Sequence, residues 1–109
     1  MAIPGLHLTR IGNGDYLLEP ATSLNLDDQG RLIESITARL IKERSARLYY
    51  DLSTLPLIDP LYYGWLNALA RATLTVNVKM ICVNMQPTAA FALSKFMTEK
   101  PVFGTAHSI

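Results

Sequence analysis

The spacing of apolar positions changes several times along the 109-residue chain, and each change predicts an element. Leu6-His-Leu-Thr-Arg-Ile11 alternates apolar and polar side chains, the period of a half-buried strand. A second short run, Tyr16-Leu-Leu-Glu19, follows Gly12-Asn13-Gly14-Asp15. Asn and Gly tolerate the positive φ angles of tight hairpin turns, so the two runs are expected to pair antiparallel. His7 reads as a partly buried strand residue, with no second ligand at a useful spacing. Pro20-Ala-Thr-Ser23 breaks the pattern, and Asn25-Leu-Asp-Asp28 supplies caps for a helix from about Asp28 to Glu43. Leu32, Ile33, Ile36, Leu40 and Ile41 form its apolar stripe, while Arg31, Glu34, Arg39, Lys42 and Glu43 should face water.

Arg47-Leu-Tyr-Tyr-Asp-Leu52 reads as a strand that ends in Ser53-Thr54, whose hydroxyls suit a turn. Asp59 is a good N-cap and Pro60 fits the first helical position, where a missing N–H is no loss. The helix they open is apolar nearly all round, with Asn67 and Arg71 its strongly polar residues between Leu61 and Ala72. Taking Tyr63, Leu66 and Ala70 as the buried row leaves Leu61, Trp65, Ala68 and Leu69 on or beside the opposite face. Either neighbouring elements cover that face within the monomer, or it is an exposed apolar patch of the kind that marks a protein interface. For so small a chain the interface is the preferred reading.

Val76 to Met85 is expected to be a strand buried on both faces, interrupted by Lys79. Pro87 then opens a helix through Met97, with Phe91, Leu93 and Met97 as core candidates and no obvious place for Phe96. Glu99-Lys-Pro101 should end it, and Val102-Phe103 is a candidate last strand. Alternating strands and helices predict an α/β fold, a mixed sheet of about four to five strands with helices packed on it and an N-terminal antiparallel hairpin. Residues 1–109 read as one domain, of a size that can bury a core without metal or disulfide staples.

Composition narrows the function classes. Ten Lys plus Arg against nine Asp plus Glu give a formal charge of +1, so no global field favours nucleic acid or an anionic membrane. The single Cys82 lies in an apolar run and suits a reducing cytosol. The N-terminal residues lack a basic lead and a long apolar segment, so a soluble, cytoplasmic, unprocessed protein without membrane insertion is expected. There is no glycine-rich phosphate loop, no Cys-x-x-Cys, no His-Glu-x-x-His and no nucleophile elbow, and enzyme activity, cofactor and metal are not expected. Asp51 and Asp59 could lie close enough to share a metal or perturb each other, although a plain N-cap is the better reading of Asp59.

Asp51-Leu52-Ser53 at a strand end and Ile58-Asp59 at a helix start together resemble the hallmark of the STAS domain, the anti-sigma-factor-antagonist fold. Val83-Asn84-Met85-Gln86-Pro87 resembles the Gly-Ile-X-Pro step that opens the next helix in the stressosome-type branch, which Pro56 also suits. The resemblance spans roughly Leu24 to Met97 and rests on the order and spacing of these motifs together. In phosphorylatable members the residue after the Ile-Asp pair is the serine or threonine that a kinase modifies, and here it is Pro60. A second phosphorylatable threonine of that branch falls at Ala92. Ser53, Thr54 and Ser94 are the weak remaining candidates.

The resemblance implies a non-catalytic interaction module in bacterial signalling, an anti-sigma-factor antagonist or stressosome-like scaffold subunit that cannot toggle at Pro60. It implies a homo-oligomer and, as partners, other STAS proteins and a serine kinase of the anti-sigma type or a phosphatase. The expected partner surface is Asp59, Pro60, Leu61, Tyr62, Trp65 and Leu69. Alternatives are an accessory STAS subunit docked on a lipid ABC transporter, or a small-molecule or nucleotide sensor.

Overall fold

Gly12 and Gly14 take φ angles of 57° and 106°, a region that costs glycine little, and between them the chain reverses. The glycines, rather than Asn13, carry the positive φ of this turn. The computed structural model describes residues 3–97 and 100–109. In it the turn joins β1 (Leu6–Ile11) to β2 (Asp15–Pro20) in the expected antiparallel register, with Leu8 opposite Leu18 and Arg10 opposite Tyr16. The chain continues through α1 (Gln29–Lys42), β3 (Arg47–Asp51), α2 (Pro60–Thr75), β4 (Lys79–Val83), α3 (Pro87–Phe96) and β5 (Gly104–Ala106).

The sheet order is β1-β2-β3-β4-β5, parallel from β2 onward. Each parallel crossover steps one strand in the same direction, and right-handed crossovers in such a series lay every helix on one face. Burial follows that geometry. Tyr16, Leu18, Leu48, Tyr50, Met80 and Cys82 point under the helices and are buried, whereas Leu17, Tyr49 and Ile81 alternate with them and are only half-buried. Burial of the fourth strand on both faces, as expected, holds only at its end, where Cys82 and Val83 are both buried; Lys79 is exposed and Ile81 half-buried, and the strand is shorter than Val76–Met85. Val76 and Asn77 end α2 instead, Val76 as its C-cap and Asn77 at a φ of 62°.

Capping sets the helix bounds. Asp28 Oδ1 accepts from Arg31 N at 3.3 Å, and Glu43 ends α1 by donating to Arg39 O. On α1, Ile36 and Leu40 are fully buried and Leu32 and Ile33 pack against the core, but Ile41 is 56% exposed, one position past the covered stripe. Arg39 is half-buried with its guanidinium over the Tyr16 ring, 6.0 Å from the centroid, where open water was expected. On α3, Ala89 and Leu93 face the core, while Phe91 and Met97 are exposed, against expectation. The Phe96 side chain, Thr98 and Glu99 lie outside the described residues. His7 is exposed rather than partly buried, because it points to the uncovered sheet face. The last strand begins at Gly104, directly after Val102-Phe103, and Phe103 is a buried core residue edge-on to Tyr63, with ring centroids 6.1 Å apart. No helix is long and apolar enough to cross a membrane among the described residues.

Candidate functional site

The parallel strands β3 and β4 end at the same edge of the sheet, so the loops leaving them must meet. Leu52 and Ile58 anchor the β3–α2 loop by being fully buried, and Leu52 N donates to Val83 O at 2.9 Å. Between these anchors the chain turns, with Leu55 N donating to Leu52 O at 3.0 Å. The turn bond at the strand end comes from Asp51, whose Oδ1 accepts from Ser53 N at 2.9 Å. The hydroxyls of Ser53 and Thr54 make no described hydrogen bond, so the expected role of those side chains passes to the aspartate.

Three side chains of the β4–α3 segment brace this loop. Asn84 Nδ2 donates to Asp51 Oδ1 at 3.2 Å, Gln86 Nε2 donates to Ser53 O at 2.7 Å, and Thr88 Oγ1 donates to Pro56 O. Asn84 does so from a φ of 59°, which asparagine tolerates better than most residues. Sequence reasoning missed this brace. Its signal was the polar run Asn84-Met-Gln-Pro-Thr88 at the end of an apolar strand, facing another polar turn across parallel neighbours.

Asp59 and Pro60 act as their chemistry predicts. Asp59 Oδ1 accepts from Tyr62 N at 2.7 Å and Pro60 occupies the first turn. Both residues are exposed, as is Leu61 at 61%. Leu57, also apolar, is 66% exposed on the loop just before. Asp51 and Asp59 are each committed to local donors. Among the described residues no group of three His, Cys, Asp or Glu could hold a metal ion.

Tyr62 points inward to a buried polar network. Its hydroxyl is hydrogen-bonded to that of Tyr50 on the central strand, and Trp65 Nε1 donates to the same Tyr50 oxygen at 3.0 Å. Burial, then the neighbouring Tyr62, holds the Tyr50 phenol well above its ordinary range. Burial likewise pushes Tyr62 up to about 12, and raises the Cys82 thiol so that it stays protonated and unreactive.

Trp65 and Leu69 correct the sequence reading of α2. Both are fully buried, because α2 is the middle helix and contacts α1 on one side and α3 on the other. Of the six residues expected to meet a partner, Asp59, Pro60 and Leu61 lie on the surface, Tyr62 is half-buried, and Trp65 and Leu69 belong to the core. Asn67, the polar break in this helix, is used structurally: its Oδ1 accepts from Val102 N at 2.9 Å and ties down the C-terminal segment. Ser94 is exposed with its hydroxyl donating to Phe91 O at 2.7 Å, and Ala92 is half-buried.

No protein-family model and no curated protein matches the chain. Solved structures do. A variant of RsbS from Moorella thermoacetica superposes with a TM-score of 0.78 at 14% identity, over 94% of this chain and 88% of that one. A chain of the stressosome, described as a signal integration and transduction hub, gives 0.78 at 14% identity over 94% and 89%. The chain has a STAS-type fold. The anti-sigma factor antagonist SpoIIAA in its unphosphorylated form shares it, with a TM-score of 0.64 at 13% identity over 95% of this chain and 89% of that one. At such identities the likeness is one of fold.

Proposed function

We propose that the chain is a non-catalytic interaction module of signalling, an anti-sigma-factor antagonist or stressosome-like scaffold subunit that works without a phosphoacceptor at the start of α2. The observation that carries this reading is Pro60. It stands directly after the capping Asp59, exposed, at the position where the STAS resemblance expects a modifiable hydroxyl. Phosphate at a helix N-terminus acts through free N–H groups and the macrodipole. Proline offers no hydroxyl to carry it, so position 60 itself cannot change charge.

The braced loop supports the same reading. A surface fixed by Asn84, Gln86 and Thr88 loses little conformational freedom when a partner docks, and Leu57 and Leu61 supply exposed apolar area there. The partners proposed are other STAS proteins and a serine kinase or phosphatase. Affinity capture of the tagged chain from its native cells, with mass spectrometry of partners and phosphosites, tests this. Recovery of such proteins with the chain unphosphorylated supports the proposal; recovery of an ATPase with membrane components overturns it.

A further inference from the structure

A formal charge of +1 conceals a strong separation of charge between the two ends of the molecule. The edge where β2, β3 and β4 end and α1 and α2 begin carries Glu19, Asp27, Asp28, Asp51 and Asp59. Against these stands Arg31, ion-paired to Asp28 at 3.6 Å. The opposite edge, where the same strands begin and the helices end, carries Arg10, Lys42, Arg44, Arg47, Arg71 and Lys79, all exposed. The acids there are Glu43, paired to Arg10 at 3.7 Å, and Asp15 beside Arg47.

Helix dipoles favour acids at helix N-termini and bases at C-termini, and they account for part of this pattern. They do not account for Arg47 and Lys79, which are on strands. These two are register partners in β3 and β4, like charges side by side, an arrangement that destabilises a sheet. Lys79 has no ion pair among the described residues.

Each end also exposes large apolar side chains among these charges. Leu57 and Leu61, 66% and 61% exposed, lie on the acidic end; Ile41 and Leu74, 56% and 51% exposed, lie at the C-terminal ends of the adjacent helices α1 and α2 on the basic end. An apolar centre with a charged rim is the anatomy of a protein interface, and here the two rims have opposite sign. We propose that copies of this chain associate head to tail, with Leu57 and Leu61 of one copy against Ile41 and Leu74 of the next, inside complementary rims. The contact is heterologous, so it extends to rings or filaments rather than stopping at a two-fold dimer. The proposal rests on the reading of the chain as a self-assembling interaction module and specifies the geometry of that assembly.

Sedimentation velocity of the full chain tests it. Association should weaken about tenfold or more between roughly 50 mM and 0.5 M salt, where screening shortens to a few ångströms. Two variants separate the ends: Glu19→Lys with Asp27→Lys on the acidic end, and Arg71→Glu with Lys79→Glu on the basic end. None of these side chains makes a described hydrogen bond or ion pair, and circular dichroism checks that each variant folds. Each variant alone should be monomeric. Mixed one to one they should associate again, because the intact basic end of the first variant meets the intact acidic end of the second. A wild-type monomer at every salt concentration overturns the proposal, as does association that both variants leave unchanged or a mixture that stays monomeric. A monomer that still captures signalling partners would defeat head-to-tail assembly alone, whereas head-to-tail assembly with an ATPase and membrane components captured would defeat the functional reading alone.

Discussion

Replacing Tyr50 by phenylalanine removes one oxygen that serves two partners. Trp65 is fully buried and its Nε1–H donates to that oxygen at 3.0 Å, so the substitution leaves an indole N–H with no acceptor and no route to water. An unsatisfied buried donor costs about 1–3 kcal/mol, and losing the bond to Tyr62 adds about 0.5–1.5 kcal/mol, giving roughly 1.5–4.5 kcal/mol in all. Tyr62→Phe is the informative contrast. The Tyr50 hydroxyl then still accepts from Trp65, and the expected loss is only about 0.5–1.5 kcal/mol. For a domain of this size each kcal/mol moves Tm by about 4 °C, so the two variants should melt roughly 6–18 °C and 2–6 °C below wild type. Urea titration followed by the fluorescence of Trp65, the sole tryptophan, measures both, with the denaturant slope expected unchanged. Equal losses in the two variants, or a Tyr50→Phe loss below about 0.5 kcal/mol, would refute the claim that Tyr50 joins the central strand to the first turns of α2.

Three further outcomes follow from the same geometry. Asp59→Ala should cost about 1 kcal/mol and speed amide exchange at Tyr62, whose N–H loses its carboxylate acceptor. The raised Tyr62 and Tyr50 phenols bind their protons more tightly folded than unfolded, so their contribution is complete below about pH 10 and is lost as pH rises toward 12. Alkaline melting curves should show that fall, and flat stability from pH 9 to about 12 would contradict it. Cys82 should resist alkylation at pH 8 in the folded protein and react only on denaturation, because burial keeps the thiol protonated and covered.

Local chemistry made much of the fold legible. The Asp59–Pro60 helix start, the Asp28 cap and the hairpin depend on residues within a few positions of one another, and all three form as predicted. Facing was harder to read. Nothing within α2 distinguishes Trp65 from Leu61, since both are large and apolar; only the positions of α1 and α3 decide that one is covered and the other open. The fourth strand misled for a related reason: Ile81 is as apolar as Met80 but lies on the face without helices. At the site, the capping residues were visible in sequence, whereas the brace from Asn84, Gln86 and Thr88 joins segments more than thirty residues apart. Long-range pairing of that kind leaves no periodicity. The three-residue β5 was displaced for a similar reason, because Val102-Phe103 carries the apolar signal while its neighbours make the ladder.

The proposed role depends on the exposed start of α2, and one capture experiment addresses it directly. The tagged wild type and Leu61→Asp are compared in native cells, with partner recovery quantified by mass spectrometry. Leu61 is 61% exposed, so the substitution should leave stability nearly unchanged while placing a charge in the apolar part of the surface. Recovery of STAS proteins, a serine kinase or a phosphatase by the wild type, reduced about tenfold or more by Leu61→Asp, is the expected result. Equal recovery by both forms, or no such partner with the wild type, would contradict the account.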